Sequence, residues 1–140
     1  GHVEDRYRDI EGVEQIPFVP IRELINQIYN ARFCVLPLAD FNYSYGQMTL
    51  MQQMALGKCV LAARVSSLTD YIEDGKNALF YEAGNVEDLS QKMKQLIKDA
   101  DLVEYIGKQA QLYLRDKCNE KLMASSIEKF FKIVRYSEEK

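Results

Sequence analysis

Short runs of continuous apolar residues alternate along this chain with segments whose apolar positions recur at helical spacing. Phe33–Leu38, Cys59–Ala63 and Ala78–Tyr81 read as strands, and Val13–Phe18 as a fourth. Unbroken apolar character marks strands covered on both faces, as in a parallel sheet. Pro20 opens a helix that carries Ile21, Leu24, Ile25 and Ile28 on one face. Gln47–Leu56 reads as a short buried helix stopped by Gly57, where a left-handed glycine closes a helix. Asp74-Gly75 marks a turn before the last strand.

Beyond Gly84 the pattern becomes helical. Asn85 is a predicted N-cap with Asp88 three residues on, close to a capping box. The helix it opens places Val86, Leu89, Met93, Leu96 and Ile97 on one face. Asp101–Lys117 follows with Leu102, Ile106, Ala110 and Tyr113, then Asn119–Val134 with Leu122, Ile127, Phe130, Phe131 and Val134, ahead of a polar tail, Tyr136–Lys140. The alternation predicts an α/β fold, a Rossmann-like parallel sheet of about four strands covered by the C-terminal helices. Such a sheet gathers helix N-termini and strand-end loops at its carboxyl edge, where nucleotides bind. The 140 residues suffice for a single domain with one core, and no repeat or linker interrupts them.

Composition narrows the chemistry. A net charge of −3 gives no electrostatic case for nucleic acid as a partner. No apolar run approaches the ~20 residues that span a bilayer. The three cysteines are odd in number and lack metal spacing; Cys34 and Cys59 lie within apolar runs as buried thiols, and a cytosolic location follows most simply. His2 is the only histidine, which leaves almost no room for histidine acid–base catalysis or a His-rich zinc site.

Met54-Ala-Leu-Gly-Lys58 and Val65-Ser-Ser-Leu-Thr-Asp-Tyr-Ile-Glu-Asp-Gly75 resemble the Met-Ala-x-Gly-Lys and Val-Gly-Gly-Leu-Pro-Glu-x-Ile-x-Asp-Gly motifs of the retaining, family-4 type of GT-B glycosyltransferase. Phe18-Val-Pro-x-x-Glu-Leu24, the Val35-Leu-Pro37 strand end and Gly84-Asn-Val-Glu-Asp-Leu89 are similarly placed, so the resemblance runs from about Val13 to Phe131. It implies the C-terminal, donor-binding part of such an enzyme, with a nucleotide-sugar donor of UDP or GDP type. It further implies retained anomeric configuration, no cofactor and no protein-bound metal.

Residue by residue, the resemblance implies that backbone around Val19 meets the base. The turn of Tyr45, Gly46, Gln47, Met48 and Thr49 would offer its amides to the diphosphate and sugar, as a helix start favours an anion. Gly46 would let that backbone approach closely. Two glutamates of the family fall at Ser44 and Gln52 here, and Gln52 keeps hydrogen-bonding capacity toward a ribose without the charge-assisted bond. The glycine also stands one residue early, with Gln47 in its usual place. The family's diphosphate-clamping Arg and Lys and its acceptor domain have no counterpart in this sequence, so no residue is assigned as catalytic and the isolated chain is expected to be inactive. The resemblance also allows peripheral association at the inner membrane face.

Plainer roles compete at each position. Ser44, Tyr45 and Gln47 can form a solvated turn, and Tyr43 and Tyr45 can pack beside the helix start. Met48, Met51 and Met54 have the spacing of core filler. Lys58 reads as a cation near a helix C-terminus, and Asp70, Glu73 and Asp74 as loop acids rather than a metal site. Two other functions stay open: a degenerate, non-catalytic interaction module, and another GT-B enzyme such as a sugar-nucleotide epimerase. Val13–Phe18, as a strand lacking its usual neighbours, is also a template for homodimerisation through an exposed sheet edge. Light scattering on dilute protein checks that expectation, and a monomer mass counts against it.

Overall fold

Three strands, β1 (Cys34–Leu36), β2 (Val60–Arg64) and β3 (Leu79–Glu82), form one sheet in the order β1-β2-β3. Both pairings are parallel, with Cys34 beside Val60, Leu36 beside Ala62, Leu61 beside Leu79 and Arg64 beside Glu82. The structure, a computed structural model, describes residues 10–41 and 44–128. β2 is central, and Val60–Ala63 are 0% exposed, so both of its faces are covered as the continuous apolar run requires.

The helices are α1 (Ile21–Asn30), α2 (Gln47–Ala55), α3 (Val86–Lys98) and α4 (Ala100–Lys117). A fifth, α5, is helical over 120–128, with Asn119 Oδ1 accepting from the Leu122 amide at 3.0 Å. The rest of the expected Asn119–Val134 helix, and Tyr43, lie outside the described residues. α2 turns Leu50, Gln53 and Met54 inward, α3 turns in Leu96, and α4 turns in Ile106, Gly107 and Ala110. Asn85 caps α3 through the Asp88 amide at 3.0 Å. Asp88 does not complete the capping box; its carboxylate accepts from the Glu82 amide at 2.7 Å and so ties α3 to the end of β3.

The expected strand at Val13–Phe18 does not form, which corrects the count from four strands to three. An extended run makes a strand only with a ladder partner, and Pro17 removes a donor from this one. Phe18 instead stands fully exposed, and Val13 and Ile16 are also at the surface. α1 keeps its predicted apolar face, yet none of its residues is buried. Lys58 serves a helix C-terminus, as expected. Its ammonium donates to the Tyr29 and Ala31 carbonyls at 2.6 and 2.9 Å, closing the C-terminal end of α1 and not of the helix that precedes it in sequence.

Cys34 and Cys59 are buried free thiols and Cys118 is exposed. Burial, with Cys34 nearby, pushes the Cys59 thiol up to about 12, so it stays a neutral packing group at physiological pH. Among the described residues no helix is long and apolar enough to cross a membrane.

Candidate functional site

Parallel strands deliver their C-terminal ends, and the loops that follow, to one edge of the sheet. Here β1 runs out through Leu38 and Asp40 into the loop that starts α2, and β2 runs out into a 3-10 turn, Ser66–Leu68. Gly46 is the N-cap of α2, at φ +87° and ψ −17°, the left-handed region that favours glycine. A Cβ at Gly46 would also run into the Leu38 side chain.

The first bond of α2 runs from the Leu50 amide to the Gly46 carbonyl at 3.0 Å. No side chain caps this helix, and the amides of Gln47, Met48 and Thr49 have no hydrogen-bond partner among the described residues. Met48 is 73% exposed and Thr49 is exposed, so this end of the helix is open to water. Three unpaired N–H groups at the positive end of a helix dipole form a receptor for an anion, provided a ligand brings the anion there.

Two clefts flanking α2 share Gln52 and Ala55. Gln52 stands four residues after Met48 and therefore on the same face. With Met51 and Ala55 it borders a groove of about 530 Å³ closed on its far side by Gln111, Leu114 and Cys118. With Ala55 and Leu56 it also borders one of about 310 Å³ opposite Ile21, Leu24 and Ile25 of α1. The Gln52 side chain makes no protein hydrogen bond among the described residues.

The expected site residues thus fall into two groups. Ser44, Tyr45, Gly46, Gln47, Met48 and Thr49 form one turn at the carboxyl rim, and Gln52 lies about 7.5 Å further along the helix axis. Val19, half-buried in the segment before α1, lines neither groove and is not brought together with them. Ser44 is exposed, and its hydroxyl accepts from the Gln47 side-chain amide, so these two residues hold each other. Tyr45 is packed: its hydroxyl donates to the Ala39 carbonyl and its ring lies 5.7 Å from that of Phe41, centroid to centroid. Met48 is not core filler, whereas Met54 is fully buried.

Sequence reasoning missed the partners that hold this turn. Asp40 accepts from the Ser66 amide at 3.2 Å and from the Ser66 hydroxyl at 3.1 Å. The Ser67 hydroxyl donates to the Tyr45 carbonyl at 2.9 Å. Beside them Arg64 donates to Asp74 at 2.7 Å and to Glu82 at 3.1 Å while its guanidinium lies over the Phe80 ring. Asp74 and Glu82 hold the Arg64 guanidinium above its usual range, the Asp74 hydrogen bond contributing most. Asp74 is therefore an ion-pair partner, and its other oxygen accepts from the Phe80 amide at 2.9 Å. Among the described residues no three His, Cys, Asp or Glu side chains converge where they could hold a metal. A hint lay in the sequence, since hydroxyls at Ser66 and Ser67 replace two glycines of the resembled motif.

Comparison with known proteins adds independent information. The family model for Glycosyl transferases group 1 matches residues 1–99. An uncharacterised glycosyltransferase of Methanocaldococcus jannaschii is 31% identical over 85 residues, which is 61% of this chain and 23% of that protein. HepE of Anabaena, solved in complex with UDP, superposes with a TM-score of 0.67 at 17% identity over 76% of this chain and 29% of that one. Sucrose-phosphate synthase of Thermosynechococcus elongatus superposes with a TM-score of 0.67 at 18% identity over 89% of this chain and 30% of its own. The chain spans less than a third of the length of each of these relatives. The two structural likenesses fix the fold as the Rossmann-like α/β layer of GT-B glycosyltransferases.

Proposed function

This chain belongs to the group 1 glycosyltransferase family, and from that premise we propose that it is the donor-binding part of an enzyme that transfers a sugar from a nucleoside diphosphate with retained configuration. The observation that carries the reading is the open amide set of Gln47–Thr49 behind Gly46, at the carboxyl rim of parallel strands. These amides would receive the diphosphate, and their dipole would stabilise the negative charge that grows on it as the glycosidic bond breaks. Gln52 would hydrogen-bond the ribose, and backbone at Val19 would meet the base. That HepE binds UDP, and in a second structure UDP-glucose, supports a uridine donor over a guanosine one. Earlier βα units of the same domain would bring the cationic clamp and a second domain the acceptor, and the enzyme would work in the cytoplasm, with peripheral association at the inner face of a membrane as a further option.

One observation favours the non-catalytic reading. Neither Ser44 nor Gln52 carries a charge, and Ser44 is already engaged by Gln47. Gln52→Glu separates the two readings. A carboxylate makes a hydrogen bond roughly twice as strong as a neutral acceptor, so UDP should bind about fivefold more tightly, read by calorimetry. An interaction module would show no UDP binding in either form.

A further inference from the structure

A glycine at a helix start is also a hinge. Rotation of the Tyr45–Gly46 peptide plane requires Gly46 to change φ, and glycine accepts positive and negative values almost equally. In a trans peptide the carbonyl and the N–H point in opposite directions. A flipped plane would aim the Tyr45 carbonyl where the Gly46 amide now points, beside the amides that open α2. In the observed turn Gly46 sits at φ +87°, and the Tyr45 carbonyl is taken by the Ser67 hydroxyl at 2.9 Å. Ser67 is itself held, because the turn it belongs to is tied to the loop after β1 by two bonds from Ser66 to one oxygen of Asp40. Tyr45 is fixed from its other end by the bond from its hydroxyl to the Ala39 carbonyl.

Building on the donor reading above, we propose that Ser67 is a positioning residue for nucleotide-sugar recognition: its hydroxyl locks the Tyr45–Gly46 peptide so that the amides at the start of α2, and not a carbonyl, meet the diphosphate. Asp40 is the anchor that keeps Ser67 in place. The hydroxyl restores the order that Gly46 gives away, and it does so from a position where the resembled motif has a glycine and no side chain to offer.

UDP titrations of the native protein and its Ser67→Ala and Ser67→Thr variants test this, with the Gly46 amide resonance followed in the ligand-free state. A hydrogen bond worth about 1 kcal/mol predicts roughly fivefold weaker UDP binding in Ser67→Ala. The thermal midpoint should fall by only a few degrees, the Gly46 resonance should broaden as two orientations exchange, and Ser67→Thr, which keeps the hydroxyl, should restore affinity and line width. Native protein that binds UDP while Ser67→Ala binds it equally well overturns the inference and leaves the donor reading standing. A Thr variant no better than Ala does the same. Native protein that fails to bind UDP overturns the donor reading, and this inference with it.

Discussion

Gly46→Ala should weaken UDP binding at least tenfold while the fold survives. The site is at φ +87°, where an L-residue pays roughly 1–2 kcal/mol. The new methyl also meets the Leu38 side chain, whose far end can move aside. Relief comes from rotating φ46 back to negative values, which flips the Tyr45–Gly46 peptide and sets its carbonyl beside the Gln47–Thr49 amides. The stability loss is therefore small and the binding loss large. Calorimetry with UDP and chemical denaturation measure the two separately. Equal UDP affinity in the variant would mean that these amides do not receive the donor.

Gly107→Ala should cost more stability than the same exchange at any other described glycine. In most helix interiors that exchange is favourable by about 1 kcal/mol, because alanine is the better helix former. Here α4 crosses the chain that enters β2 so closely that a Cβ at Gly107 overlaps the Gly57 carbonyl and comes within 3.3 Å of the Cys59 amide nitrogen. Those are backbone atoms, fixed by the sheet, and cannot swing away as a side-chain end can. Overpacking of this kind costs about 1–3 kcal/mol and sometimes more, which exceeds the propensity gain. Urea denaturation should show a net loss of about 1–2 kcal/mol. A gain would show that α4 sits further from Gly57.

The contrast between these glycines shows what a linear sequence reveals. Gly57 was legible as a helix stop, because its partners are the carbonyls of the helix just before it; its amide bonds the Met54 carbonyl at 2.9 Å. Asn85 was legible as a cap for the same reason. The three strands were legible because a strand buried on both faces has no polar positions to vary. Gly107 was invisible, since its constraint comes from a segment about fifty residues earlier in the chain. Lys58 was legible as a helix-end cation, but which helix it serves was not, because the carbonyls it meets lie 27 and 29 residues away. Val13–Phe18 was misread because an apolar run reports its own character and says nothing about a neighbour with free hydrogen-bonding groups.

The candidate site divides along the same line. Gly46 and the helix behind it could be placed from the order of turn, helix and glycine stop, and the resemblance supplied a ligand for the amides. The latch formed by Asp40, Ser66 and Ser67 could not, because it joins two loops across the rim through contacts 22 and 26 residues apart. Arg64, Asp74 and Glu82 are a similar case. Each was an ordinary surface charge in the sequence, and together they fasten the turn after β2 against β3.

The most direct measurement is a titration of the native protein with UDP, following backbone amide resonances. Saturable shifts centred on Gln47, Met48 and Thr49, with Gln52 moving in step, are the expected result. Shifts confined to other surfaces, or none at millimolar UDP, would contradict the assignment of this rim to a sugar donor.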